Sequence, residues 1–274
     1  MKIGTHSLNA QRCSLESILH SFSEFVGLVR QLRAPGGCPW DREQTFTSLI
    51  PFVIEEAYEL VDALESNNAA LLEEELGDVL LHVVMIGLMA EEAHLTTLEK
   101  IITSVHQKMI RRHPHVFGGK DAKTSDEVLI HWDAIKSQES EGSQALLASI
   151  PKQLPALFQA LKIQKKLAKK GFDWPTLSGT LDKVQEEWGE LQAELSAPEI
   201  DMEKVEQEFG DLLFSMVNVA RKLKINPELS LKKTTQKVRD RISFIENSLS
   251  VSGTTWEAHS LEDLEILWEN AKHS

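Results

Sequence analysis

The stretch EELGDVLLHVV at residues 74–84 sets a glutamate and an aspartate three apart, Glu75 and Asp78, at the entrance to a long apolar run. The stretch QEFGDLLFSMV at residues 207–217 repeats the arrangement with Glu208 and Asp211. Side chains three or four apart share one face of a helix. Each pair therefore looks toward the side that its apolar neighbours must bury. A carboxylate on such a face is unfavourable unless it is paired, coordinated or neutralised.

Working outward, apolar residues recur at i, i+3, i+4 and i+7 through much of the chain. Ile18, Phe22, Phe25, Val26, Val29 and Leu32 form one stripe, and Ile54, Ala57, Tyr58, Val61 and Leu64 another. Leu154, Leu157, Phe158 and Leu161 follow, then Leu212, Leu213, Met216, Val219 and Leu223. This is the helical period, and alternating strand patterns are scarce. The interruptions APGGCPW at 34–40, SNN at 66–68, HPHVFGG at 113–119, GFDWP at 171–175 and SAP at 196–198 are helix punctuation. The expected fold class is all-α.

The chain also repeats itself. VIEEAYEL at 53–60 matches VQEEWGEL at 184–191, and the two stretches quoted first match each other. CPW ending at Trp40 has a counterpart in FDW ending at Trp174, KMIRR at 108–112 in KVRDR at 237–241, and WDAIK at 132–136 in WENAK at 268–272. Five anchors in one order predict tandem duplicated helical bundle units. The expected organisation is an N-terminal extension over 1–17, a first helical domain over 18–136, a polar linker over 137–150 and a second helical domain over 151–274.

Each half carries an EExxE motif besides its ExxD. Glu55, Glu56 and Glu59 stand in the first, Glu186, Glu187 and Glu190 in the second. Short turns at Asn67–Asn68 and Ala197–Pro198 would fold each helix pair back on itself and set the acids opposite one another. Four facing carboxylates repel unless a cation sits among them, and a hard divalent ion such as Mg²⁺ favours oxygen ligands completed by phosphate. The candidate metal ligands are Glu187, Glu190, Glu208 and Asp211, with a second set at Glu56, Glu59, Glu75 and Asp78. A di-iron bundle would need Glu-x-x-His on two helices, and only Glu91–His94 supplies one. Gly77 and Gly210, between the acids, suggest close helix approach or simple packing.

The halves differ in their cations. Lys183 and Lys204 stand four residues before Glu187 and Glu208, whereas the first half has Phe52 and Leu71 there. Lys237 and Arg241 answer Lys108 and Arg112. Cations beside acids suit a phosphorylated substrate held through a metal, so the second half is expected to be the main catalytic unit. A net charge of −13 argues against stable nucleic-acid or anionic-membrane binding, and RRHPH at 111–115 is too small a basic patch to reverse that. The longest apolar run, Val79 to Ala90, is too short to span a bilayer. Cys13 and Cys38, the two cysteines, predict neither a disulfide framework nor a metal site, consistent with a reducing cytoplasmic setting.

CPWDREQTFTSLIPFVIEEAYEL, EEELGDVLLHVV, RRHPHVF and GFDWPTLSGTLDKVQEE together resemble the MazG family of nucleoside triphosphate pyrophosphohydrolases, from about residue 18 to the C-terminus. The resemblance implies an all-α homodimer that uses Mg²⁺, with Mn²⁺ as a substitute, to hydrolyse NTPs or dNTPs, ATP among them, to the monophosphate and pyrophosphate. It implies a broad-specificity role in cleaning the nucleotide pool. It places Glu187, Glu190, Glu208 and Asp211 on the metal, and Lys183, Lys204, Lys237, Arg241 and Trp268 on the nucleotide. Lys204 and Arg241 would also stabilise developing charge, and Glu186 is the candidate for deprotonating water. One departure stands out: family members tend to carry consecutive arginines where this chain reads Asp240–Arg241.

Overall fold

The computed structural model describes residues 14–119, 121–139 and 145–273, which contain twelve α-helices, one 3₁₀ turn and no strand. The chain divides into two compact units, Met1–Glu139 and Ser140–Ser274. The first unit holds α1 (Leu15–Arg33), α2 (Pro39–Glu43), α3 (Phe46–Ser66), α4 (Ala69–Glu92), α5 (Leu98–Arg112), α6 (Pro114–Phe117) and α7 (Ser125–Glu139). The second holds α8 (Ala156–Lys169), α9 (Leu177–Leu195), α10 (Met202–Lys222), α11 (Pro227–Ser252) and α12 (Leu261–Ala271). Helix α1 begins three residues before the expected domain start, and α7 runs three residues into the expected linker. Cys13 and most of the proposed N-terminal extension lie outside the described residues, while Cys38 is a free thiol.

The helix pair at the centre of each unit is set by its caps. The Thr45 hydroxyl accepts from Ser48 N and the Ser48 hydroxyl from Thr45 N, a capping box that starts α3. Asn67 ends α3 in the left-handed region at φ 54, a conformation asparagine tolerates better than most residues. Asn68 then caps α4 by accepting from Ala70 N and Leu71 N, so two asparagines turn the chain back on itself. In the second unit Thr176 caps α9 and Asp201 caps α10.

In the first unit α3 and α1 both pack on α4. Val29, Leu49, Val84, Met85, Leu88 and Met89 form the core, with Phe52 and Leu81 against it. In the second unit α9 and α8 pack on α10, with α8 also against α11 and α12 against α11. Leu161, Leu191, Val217, Ile245 and Leu249 are buried there.

Both tryptophan-bearing segments, α2 with Trp40 and the loop with Trp174, are braced, with opposite charge layouts. Arg33 on α1 donates to the Glu92 carboxylate on α4 and to the Asp41 carbonyl. In the second unit the acid is on the loop: Asp173 takes Arg221 and Lys222 of α10, and Lys222 also donates to the Trp174 carbonyl. The guanidinium and ammonium beside Asp173 hold its carboxyl below the usual range against the opposing pull of burial.

Candidate active site

Three carboxylates converge in each unit. In the second, one oxygen each from Glu187, Glu190 and Glu208 lie within 4.8 Å of one another, drawn from α9 and α10. In the first, Glu56, Glu75 and Asp78 do the same from α3 and α4. The expected sets of four are thus each represented by a tight triple, with Glu59 and Asp211 as outlying members. Asp211 lines a cavity together with Glu187 and Lys183. Glu59 is held above the ordinary carboxylate range by loss of water and by repulsion from Glu56, Glu55 and Asp78.

Each cluster crowds like charges together. Glu75 is buried, its Oε2 has no hydrogen-bond partner, and burial followed by repulsion from Glu59 and Glu56 pushes its pKa up. Glu190, though exposed, is raised by partial loss of water and by sharing a hydrogen bond with Glu187, with Glu208 repelling it further. An all-oxygen donor set with an orphaned buried oxygen fits Mg²⁺ or Mn²⁺.

The surroundings of the two clusters differ. Lys183 Nζ lies 2.6 Å from Glu187 and 2.9 Å from Glu186, and these bonds raise its pKa. Beside them is a cavity of 160 Å³ whose walls include Gln164, Trp174, Thr180 and Ser215. In the first unit the position matching Lys183 is Phe52, and the position matching Ser215 is His82. Phe52 stacks on His82 at 6.2 Å, Trp40 meets Phe52 edge-on at 5.7 Å, and His82 Nε2 lies 3.6 Å from Glu56. An aromatic column thus stands where the second unit keeps a lysine and a small hydroxyl.

The remaining candidates form a separate group. Arg241 on α11 lies over the Trp268 ring of α12 at 4.9 Å. Lys204, one turn before Glu208, and Lys237, one turn before Arg241, are exposed, and Glu186 is bound to Lys183 with most of its side chain in solvent. No hydrogen bond or ion pair recorded among the described residues joins Arg241 and Trp268 to the carboxylates. The same stack recurs in the first unit, where Arg112 lies 5.3 Å over Trp132 while Arg111 and Arg112 both bond Glu139.

The expectation for the motif glycines fails within each unit. A Cβ placed on Gly77 or Gly210 would meet nothing within 4 Å, because both face outward. The glycine that does answer close approach is Gly179, where a Cβ would fall 2.6 Å from Trp174 Cδ1. Sequence reasoning had also passed over His82 as a partner of Glu56, and Gln164, Asp173 and Arg221 around the cavity. The one signal available for His82 was its register against Ser215.

Comparison with known proteins bears on what this arrangement does. Residues 44–117, from the link between α2 and α3 through α6, match the family model described as MazG nucleotide pyrophosphohydrolase domain. The chain is 39% identical to the nucleoside triphosphate pyrophosphohydrolase of Escherichia coli K12, over 93% of this chain and 98% of that one. It is 40% identical to the nucleoside triphosphate pyrophosphohydrolase/pyrophosphatase MazG of Thermotoga maritima, over 92% and 95%. It is 45% identical to an uncharacterized Bacillus subtilis protein, YabN, over 94% of this chain and 53% of that one.

Proposed function

The chain belongs to the MazG family of nucleoside triphosphate pyrophosphohydrolases, and from that premise we propose that its second unit hydrolyses NTPs and dNTPs at the α–β linkage to nucleoside monophosphate and pyrophosphate. The observation that carries this reading is the Glu187–Glu190–Glu208 triple with Lys183 bonded to it and a cavity alongside. Mg²⁺, or Mn²⁺ in its place, held by Glu187, Glu190, Glu208 and Asp211, would supply Lewis acidity and charge neutralisation toward the phosphates.

The chain's own groups divide the remaining work. Lys183 and Lys204 stand one turn from metal-side acids and would bind phosphate oxygens, with Lys237 and Arg241 providing further positive charge. Glu186 would take a proton from water as the water oxygen attacks phosphorus and the bond to the bridging oxygen breaks. Trp268, with Arg241 over one face of its ring, offers an aromatic contact for the nucleotide. Incubation with each NTP and Mg²⁺, with products resolved, tests the reading: monophosphate plus pyrophosphate is expected, and diphosphate plus phosphate would overturn it. Turnover of all common bases would support a broad role in cleaning the nucleotide pool.

The raised carboxylates give a signed pH dependence. A carboxyl whose folded pKa exceeds its unfolded value costs stability as pH rises from the unfolded value through the folded one. Glu59, Glu75 and Glu190 therefore make the chelator-treated protein less stable as pH climbs through and above the carboxylate range. Protons compete with a cation for the same oxygens, so Mg²⁺ should raise Tm more at about pH 8 than at about pH 5. Differential scanning fluorimetry reads this directly, and an equal or inverted increment would count against the metal assignment.

Gly179 offers a kinetic test of the cavity. Alanine there must displace Trp174, so KM should rise about tenfold with kcat nearly unchanged, the pattern of lost uniform binding. An unaltered KM would remove Trp174 from the site.

A homodimer is supported by one apolar stripe on each unit. Leu76, Leu80 and Val83 on α4, and their counterparts Phe209, Leu213 and Met216 on α10, are each 41–53% exposed at helical spacing. Scattered exposed leucines are ordinary, but contiguous stripes call for a cover, and a second copy supplies a matching one. Leu213→Asp should convert a dimer to a monomer in light scattering; a wild-type monomer would dismiss the idea. Among the described residues no helix is long and apolar enough to cross a membrane.

A further inference from the structure

The cavity beside Glu187 has a wall whose hydrogen-bonding sense is fixed. Gln164, on α8, is 5% exposed, and its Nε2 donates to the Phe214 carbonyl at 2.8 Å. That bond sets the amide's orientation, since two carbonyl oxygens cannot bond each other. Gln164 Oε1 is left buried with no partner in the structure. Thr180 and Ser215, also on the wall, donate their hydroxyl protons to the Leu177 and Leu212 carbonyls. Toward the cavity both hydroxyls can therefore only accept. Leu167, Phe172, Trp174 and Phe214 supply the apolar surface, and Asn218, whose Oδ1 accepts from Arg221 Nε, stands with Arg221 on the polar side.

A partly aromatic slot with a buried acceptor left unpaired at Gln164 suits a flat heteroaromatic ring that carries an N–H group. At 160 Å³ the space falls below the roughly 300–1,000 Å³ of sites for drug-sized ligands, enough for a base but not a whole nucleotide. Lys183, Glu187 and Asp211 line the same cavity, so a base seated there leaves its phosphates at the carboxylates. Building on the pyrophosphohydrolase reading above, we propose that this cavity seats the nucleobase and that Gln164 Oε1 accepts a hydrogen bond from an N–H on the base's edge. Adenine and cytosine present that donor as an exocyclic amino group. Because guanine and uracil also carry edge N–H groups, one acceptor is compatible with turnover of several bases.

The test compares nucleotides that differ only in that amino group: ATP against purine riboside triphosphate, and CTP against the triphosphate of the pyrimidin-2-one riboside. A site built to bond an N–H rejects the analogue that lacks it, because its own buried acceptor stays unpaired. Wild-type enzyme should favour the amino-bearing member of each pair by at least about tenfold in kcat/KM. Gln164→Leu and Gln164→Met, each checked for folding by circular dichroism, should bring both ratios to within about threefold while still hydrolysing the analogues. Equal wild-type rates within each pair would overturn the proposal, as would folded variants that keep the wild-type ratios. Absence of monophosphate and pyrophosphate from every nucleotide would instead bring down the functional reading on which it rests.

Discussion

Glu208→Ala should lower kcat/KM for any nucleotide the enzyme hydrolyses by at least about a hundredfold, or about 2.7 kcal/mol of transition-state stabilisation. Glu75→Ala, at the matching position of the first unit, should leave kcat/KM within about threefold of wild type. The two glutamates sit at the same place in the same motif, each in a triple of carboxylates within 4.8 Å. What separates them is their company. Glu208 shares its cluster with Glu187, which Lys183 contacts at 2.6 Å and which opens on a cavity. Glu75 shares its cluster with Glu56, whose neighbour is His82, capped in turn by Phe52 and Trp40. A divalent ion could bind both, but the second unit sets Lys183 and a cavity beside its triple, where the first sets Phe52 and His82. Steady-state kinetics on both variants decides the matter, and loss with Glu75→Ala but not with Glu208→Ala would reverse the assignment.

How much of this was legible beforehand follows from the range of the interactions. Asn67 and Asn68 announced their turn because left-handed backbone and side-chain capping are local preferences, expressed within three residues. The carboxylates were legible through duplication, since the offset between copies set Glu75 against Glu208 and Asp78 against Asp211. The cavity was not, because its parts meet only through packing: Gln164 reaches Phe214 across fifty positions, and Asp173 reaches Arg221 across forty-eight. The glycines show the same limit in reverse. Gly77 and Gly210 were conspicuous in the motifs yet face outward, whereas Gly179 looked ordinary and lies under an indole. A sequence exposes a residue's neighbours along the helix, while the contact that constrains it comes from another helix.

Lys183→Ala should move two affinities in opposite directions. Lys183 is the counter-ion of buried Glu187, held at 2.6 Å with Glu186 as its second partner. Its ammonium stabilises the carboxylate without a divalent ion and therefore competes with one. Alanine removes the competitor, leaves Glu187 unpaired among Glu190 and Glu208, and makes the cluster a stronger cation trap. Mn²⁺ binding should tighten by roughly three- to tenfold, a factor set by an attraction of about 1 kcal/mol at such a partly wet site. Nucleotide binding should weaken over the same change, with KM rising by at least about tenfold, because a charge-assisted contact to phosphate is gone. The metal-free variant should also unfold at a lower temperature near neutral pH, and added Mn²⁺ should recover more of the loss than it adds to wild type. Titration calorimetry with Mn²⁺ alone and steady-state KM together read the two affinities. If both weaken, Lys183 holds the cluster in shape and does not balance its charge. If neither moves, the contact is an ordinary helix-surface pair, and the contrast with Phe52 in the first unit has no bearing on which unit works.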